Sequence, residues 1–292
     1  FDKNENKPFT AYIKKVWQVT HQNKYDVIID MRSTIRTLFF SLFSLKTPFR
    51  IGRIKGYTRF LLNYRTDTYS NSLTTDMVER NLLLAAPLEK IKPIQYTKEF
   101  RLYLTDQEKK DFRYYMEKEG IDFARPVFLI GVTTKLLHKK WNTEFMITTL
   151  KRILEEYKDI QMIFNYAPGY EEEDARNIYK ELGCPERIKI DIQASSLRQL
   201  AALCANCSFY FGNEGGARHI AQALEIPSFA IYSPSAYKSM WLPTNSVLAR
   251  GISPDDILPP EQQATLTYEE RFALITPEKV YNQLTSTLRQ LG

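Results

Sequence analysis

NEGGARHIAQALEIPSFAIYSPS, residues 213–235, joins an acid, two glycines and a histidine to an apolar helical pattern that runs into a strand. A helix is expected from Ala217 and a strand over PSFAIYS, residues 227–233. Another short apolar strand, SFYFG (208–212), stands just before the turn. Gly215 and Gly216 place no Cβ in the way of a ligand, so the backbone there can be approached closely. The first N–H groups of the helix behind them lack intrahelical acceptors, which makes the turn a seat for a phosphate. Pattern alone does not demand that. A Gly-Gly before a helix is commonly just a tight turn, and His219 one turn into a helix is commonly a packed or surface residue.

The alternation of strand and helix continues outward from this stretch. PVFLIGV (126–132) and IQMIFNYA (160–167) are apolar runs of strand length, with a shorter one near IKIDI (188–192). Helices are expected over 143–157 and 171–182, and after Ser196, which forms a capping box with Gln199. Thr105 and Glu108 form another, opening a helix that ends at Gly120. Thr276 as N-cap and Pro277 behind it open a terminal helix over 276–292. This spacing predicts a parallel sheet covered on both faces. The first hundred residues are less regular. There YDVIIDM (25–31) is the one clear strand, after a helix over 9–24. Further helices are expected over 33–45, from Ser33 or Thr34, and over 75–88, closed by Pro87.

Composition narrows the function classes. Hydrophobic residues make up 43% and charged ones 25%, which predicts a packed globular protein and not a disordered one. No apolar run approaches the ~20 residues of a membrane span, and FDKNENKPFTAYIKK (1–15) does not read as a signal peptide. Cys184, Cys204 and Cys207 give no even disulfide framework, and CANC (204–207) lacks the remaining ligands of a zinc site. Small buried thiols in a reducing compartment are expected. The net charge is +6, and FRIGRIKGYTRFLLNYR (49–65) carries Arg50, Arg53, Lys55, Arg59 and Arg65 with no acid. That stretch is either a solvated loop or a surface for an anionic partner: phosphate, acidic lipid or nucleic acid. The lack of a reader motif argues against nucleic acid.

Doubly wound sheets bind ligands beyond the carboxyl ends of their strands. Three loops there carry polar groups: GVTTKLLHKKW (131–141), NYAPGYEEEDA (165–175) and the turn at 213–219. Lys139 or Lys140 can bring positive charge to a phosphate on the third loop, and a diphosphate so held points to a nucleotide. EEED (171–174) is in itself an ordinary acidic first turn. The chain has no G-x-G-x-x-G, Walker loop, H-E-x-x-H or G-x-S-x-G, and no Asp-x-Asp pair to set a divalent metal against a diphosphate. A site without metal, relying on lysine and backbone donors, is the expectation.

Taken in order, these loops resemble glycosyltransferase family 9, the ADP-heptose:lipopolysaccharide heptosyltransferases. That family's last site motif reads N-D-S/T-G-x-x-H-I/L-A-x-A-L-x-x-P, then a strand and a G/S-P-S/T turn. Here it runs from Asn213 through His219 to Pro227, with Ser233-Pro234-Ser235 following and MWLP (240–243) matching a downstream Trp-x-Pro. TTKLLHKKW resembles the family's Thr-rich loop ending in Lys-x-Trp, and YEEEDARNIYKEL its Glu-containing helix start. YDVIIDMRSTIRT is similar to Y-D-x-x-I-D-x-Q/R-G-x-x-K/R-S/T, and Asp76 through Arg80 to an H/D-x-x-x-R helix.

The resemblance implies an α/β fold of GT-B type, with two Rossmann-like doubly wound domains facing a cleft. It implies an N-terminal acceptor-side domain over 1–104, a nucleotide-sugar domain over 105–275, and a helix over 276–292 packing back on the N-terminal domain. It also implies inverting, metal-independent transfer of a heptose or related sugar from an ADP-sugar, with no cofactor. The acceptor is an anionic lipid or oligosaccharide of the lipopolysaccharide core, met by a cytoplasmic enzyme at the inner leaflet. Thr133, Thr134, Lys139, Glu171, Glu214, Gly215, Gly216 and His219 are the implied donor-site residues, with Glu171 at the ribose; Arg32, Arg36, Arg53 and Arg80 are acceptor-side candidates. Two departures stand out: Glu214 for the family's Asp, and Gly215 for its Ser or Thr. FDKNENK (1–7) resembles sequence beyond the family's first strand and Gly-Asp loop, so an incomplete N-terminal domain is expected and no general base is assigned. A nucleotide-sugar-binding protein without transfer is the competing expectation.

Overall fold

The computed structural model describes residues 8–68, 76–242 and 246–291. The chain forms two compact units, Phe1–Glu99 and Phe100–Gly292.

In the first unit, α1 (Phe9–Gln22) buries Tyr12, Val16 and Thr20, a stripe at helical spacing. Three parallel strands lie in the order β1 (Val27–Asp30), β2 (Phe49–Arg53), β3 (Tyr64–Thr66). The helix expected from Ser33 is delayed. Asp30 captures the N–H groups of Arg32 and Ser33 at 3.1 and 2.7 Å and the Thr37 hydroxyl at 2.7 Å, and Ser33 takes a positive φ of 47°. Only then does α2 (Leu38–Leu42) form. Strand β2 and the start of β3 fall inside the basic stretch 49–65, where neither a loop nor a charged surface accounts for every residue. Ile51 is fully buried, and the buried Arg53 donates from Nε to Met31 O at 2.8 Å and from its guanidinium to Asn81 Oδ1 at 3.0 Å. After the Asp76 cap, α3 (Met77–Leu82) tightens into a 3-10 run, Leu83–Lys90. Pro87 sits inside that run, where it has no N–H to give the carbonyl of Leu84.

The second unit is a six-stranded parallel sheet in the order β6-β5-β4-β7-β8-β9. The strands are β4 (Val127–Gly131), β5 (Gln161–Phe164), β6 (Ile188–Lys189), β7 (Phe209–Asn213), β8 (Ser228–Ile231) and β9 (Ala249–Ile252). The helices are α4 (Asp106–Lys118), α5 (Thr143–Glu156), α6 (Tyr170–Glu181), α7 (Leu197–Ala205), α8 (Gly216–Ala223), α9 (Lys238–Trp241), α10 (Tyr268–Ala273) and α11 (Pro277–Leu291). Every residue of β4, β5, β7 and β8 is buried, which is why they read as unbroken apolar runs. Alternate residues serve opposite faces. Phe128, Ile130, Met162 and Phe211 pack with α5, α6 and α11, while Val127, Leu129, Ile163 and Tyr210 pack with α4, α7 and α8. The Thr105–Glu108 capping box is present on α4. At α7, Ser196 caps the Gln199 N–H, while the Gln199 side chain accepts from Ser195 instead. Val280, Tyr281 and Leu284 of α11 belong to this unit's core, against α5, β8 and β9. Among the described residues, no helix is long and apolar enough to cross a membrane.

The chain lays down β4, β5 and β6 in one direction, then returns to place β7, β8 and β9 on the other side of β4. The order therefore reverses between β4 and β7, where crossover loops diverge and leave a crevice. Gly131 and Gly212 face each other there in register. Gly212 has φ 141°, and a Cβ on it would lie 2.4 Å from the Gly131 oxygen, so the close approach requires glycine.

Candidate functional site

A pocket of about 720 Å³ opens at this switch point, beyond the carboxyl ends of β4, β5 and β7. Thr133, Thr134, Lys139, Glu171, Glu214, Gly215, Gly216 and His219 all line it. Three loops separated in sequence thus meet on one cavity.

The α8 turn forms its floor. Among the described residues, a Cβ at Gly215 or Gly216 would meet nothing within 4 Å, and Gly215 has an extended φ of 176° open to any residue. Neither packing nor backbone strain asks for glycine here; what the two glycines keep clear is the pocket. Among the described residues no side chain caps α8, so its leading amides are not satisfied by a capping group.

Glu214 sits at the centre of the charges. Its carboxylate is buried, 8% exposed, and lies 3.2 Å from Lys139 Nζ and 3.4 Å from His219 Nε2. Burial works to raise its pKa, but the His219 hydrogen bond and the Lys139 charge outweigh it and hold the carboxyl below its ordinary range. Of the two lysines left open by sequence, Lys139 is the one at this pocket; Lys140 pairs with Asp174 of α6 at 2.8 Å. On the facing wall Thr133 donates to Glu171 at 3.1 Å, and Tyr170 donates to the Thr134 carbonyl at 2.7 Å. These bonds fix the 131–141 loop over α6.

The four arginines lie in the first unit in two kinds of setting. Arg53 and Arg80 are buried. Arg32 and Arg36 are exposed, the latter with its guanidinium 4.5 Å from the centre of the Tyr12 ring.

A family model described as glycosyltransferase family 9 (heptosyltransferase) matches residues 13–251. The chain belongs to that family. Among solved structures, a family 9 glycosyl transferase from Veillonella parvula matches with TM-score 0.74 at 13% identity, covering 97% of this chain and 79% of that one. E. coli ADP-heptose LPS heptosyltransferase II matches with TM-score 0.70 at 20% identity, covering 95% and 81%. E. coli heptosyltransferase WaaC with ADP-2-deoxy-2-fluoro heptose matches with TM-score 0.62 at 14% identity, covering 96% and 78%. At such identities the likeness is one of fold: GT-B-like, with two parallel sheets. The fold also extends to a UDP-GlcNAc 2-epimerase from Methanocaldococcus jannaschii, TM-score 0.55 at 15% identity, covering 96% and 81%. Shape therefore does not by itself name the reaction. No curated protein matches this chain by sequence.

In the pocket of this family 9 enzyme, Asn165 through Pro168 of the 165–175 loop contribute at the end of β5, as the sequence led one to expect. Ala194 through Leu197, beyond β6, form a wall that sequence reasoning passed over. Asn213, quoted only as a motif letter, ties β7 to the 131–141 loop, and nothing in the sequence revealed its partners. Trp241 of the Trp-x-Pro match lines the pocket edge-on to His219, with ring centres 5.2 Å apart. Pro243 of that match, and FDKNENK (1–7), lie outside the described residues.

Proposed function

We propose that this family 9 enzyme transfers a heptose or closely related sugar, with inversion, from an ADP-sugar to an anionic lipopolysaccharide-core acceptor. One observation carries the reading. The uncapped start of α8, the open faces of Gly215 and Gly216, and Lys139 converge on a single pocket at the β4/β7 switch point. Glycosyl transfer builds negative charge on the departing diphosphate, and fixed donors aimed at it lower the barrier. The α8 amides and Lys139 are such donors, and a diphosphate takes Lys139 from Glu214 as it binds.

Thr133 and Thr134 add hydroxyls on the same wall, and Glu171 meets the nucleoside ribose. Both acids of the pocket already have protein partners, Thr133 for Glu171 and Lys139 with His219 for Glu214, which supports transfer without a divalent metal. Arg32 and Arg36, the exposed pair, are the acceptor-side residues best placed to meet anionic groups at the inner leaflet. The ADP and ADP-2-deoxy-2-fluoro heptose bound by E. coli WaaC are consistent with the donor class.

Calorimetric titration with ADP, paired with a transfer assay from ADP-heptose, tests the proposal. Wild type is expected to bind ADP, with Lys139→Ala at least tenfold weaker. Equal affinity of the two would remove the lysine from the site, and binding without transfer would leave a nucleotide-binding protein.

A further inference from the structure

Arg218, in the first turn of α8, is fully buried. Its guanidinium donates to Gln222 Oε1, to Trp241 O at 2.7 Å and to the Nδ1 of His219 at 2.5 Å, with His219 Nε2 farther off at 3.4 Å, while its Nε has no partner among the described residues. No carboxylate is among these partners. A guanidinium cannot shed its proton, and burying one without a facing carboxylate is strongly unfavourable. Packing alone would be better served by an apolar side chain of that length.

The arrangement does have a consequence for the pocket. Arg218 has only N–H groups to offer, so the Nδ1 it faces must accept. The ring proton of His219 is then on Nε2, the nitrogen 3.4 Å from Glu214 Oε1. The same guanidinium holds the carbonyl of Trp241, whose indole packs edge-on against the imidazole. One buried cation therefore fixes both the tautomer of His219 and the aromatic wall that sets its orientation. The family pattern leaves position 218 unspecified, so nothing in the motif assigns this role.

We infer that Arg218 is a positioning residue: it holds Nδ1 of His219 as an acceptor, so that the ring presents its Nε2 N–H, and not a lone pair, to the pocket. In the unliganded protein that N–H meets Glu214. Once a diphosphate has drawn Lys139 away, it is available to a phosphate or sugar oxygen, a step that rests on the nucleotide reading above. Without Arg218, Nδ1 can carry the proton and turn the Nε2 lone pair toward a carboxylate, weakening the site it lines.

The chain contains three histidines, so long-range proton–nitrogen NMR of the labelled full chain can resolve His219, assigned by its loss in His219→Gln. Wild type without ligand is expected to show Nε2 protonated and Nδ1 bare. Arg218→Met is expected to show mixed tautomers and a five- to tenfold loss of ADP affinity, with Arg218→Lys recovering part of both. A wild-type spectrum with the proton on Nδ1 overturns the inference, and so does a folded Arg218→Met chain that keeps the wild-type tautomer and affinity. If Arg218→Met does not fold, the wild-type spectrum decides. If wild type fails to bind ADP, the nucleotide reading falls, while the tautomer still settles what Arg218 does.

Discussion

The side-chain oxygen of Asn213 accepts the backbone N–H of Trp141 at 2.7 Å. The same side chain donates to the carbonyls of Gly131 and Val132 at 3.0 and 3.1 Å, so the end of β7 is stapled to the loop that carries Lys139. All of these groups are buried in the crevice between the diverging loops. Asn213→Ala leaves a buried N–H and two carbonyls without this partner, at a cost of about 2–3 kcal/mol. Urea unfolding is expected to show that loss, and ADP titration a weaker complex as the lysine loop loosens. A variant as stable as wild type would mean that water replaces the staple.

The glycines separate a structural turn from a binding turn. Because a Cβ at Gly215 or Gly216 meets no atom of the described residues within 4 Å, Gly215→Ala and Gly216→Ala are expected to change stability by less than about 1 kcal/mol. ADP affinity is expected to fall about tenfold, equivalent to ~1.4 kcal/mol, because the methyl occupies space reserved for the ligand. Stability and affinity both unchanged would leave an ordinary tight turn.

Glu214 gives the fold a pH signature. Its folded pKa is depressed relative to the ordinary carboxyl value, because the bonds from His219 and Lys139 prevail over burial. The unfolded chain therefore binds the proton more readily, and the contribution is lost on acidification. The stability gap between wild type and Glu214→Gln is expected to be flat from pH 7 to about 5.5 and to shrink below about pH 4, where the carboxyl titrates. Urea midpoints across that range measure it, and a gap that widens in acid contradicts the assignment.

The thiols answer the question posed by CANC. Burial pushes the Cys204 thiol up to about 12 and Cys207 well above its ordinary value, whereas Cys184 is exposed. Only a thiolate reacts readily with disulfide reagents. At pH 8 the native chain is expected to show one fast-reacting thiol and the denatured chain three. Fast reaction of all three in the native state would expose α7.

The second unit was legible because its chemistry is local. Strands β4, β5 and β7 are buried on both faces, so burial itself wrote them as apolar runs, and capping residues marked α4 and α7. The first unit was not, because its decisive contacts are distant in sequence. Arg53 reads as surface charge until Met31 and Asn81 are seen to receive it, and β2 was hidden behind that reading. Ser33 looked like a helix start, but the Asp30 carboxylate holds the amides there in a turn. Strand β9, ARGI, has Arg250 and Gly251 in place of an apolar run and so does not announce itself. The pocket lining was readable loop by loop from glycine, lysine and acid; Asn213 and Arg218 act through partners that no local pattern names.

A crystal structure of the chain with ADP is the most direct test of how the pocket works. The account predicts the terminal phosphate within hydrogen-bonding distance of the Gly216 and Ala217 amides and of Lys139 Nζ, with the Lys139–Glu214 pair opened. Nucleotide bound elsewhere, or seated with that pair intact and the start of α8 untouched, would contradict it.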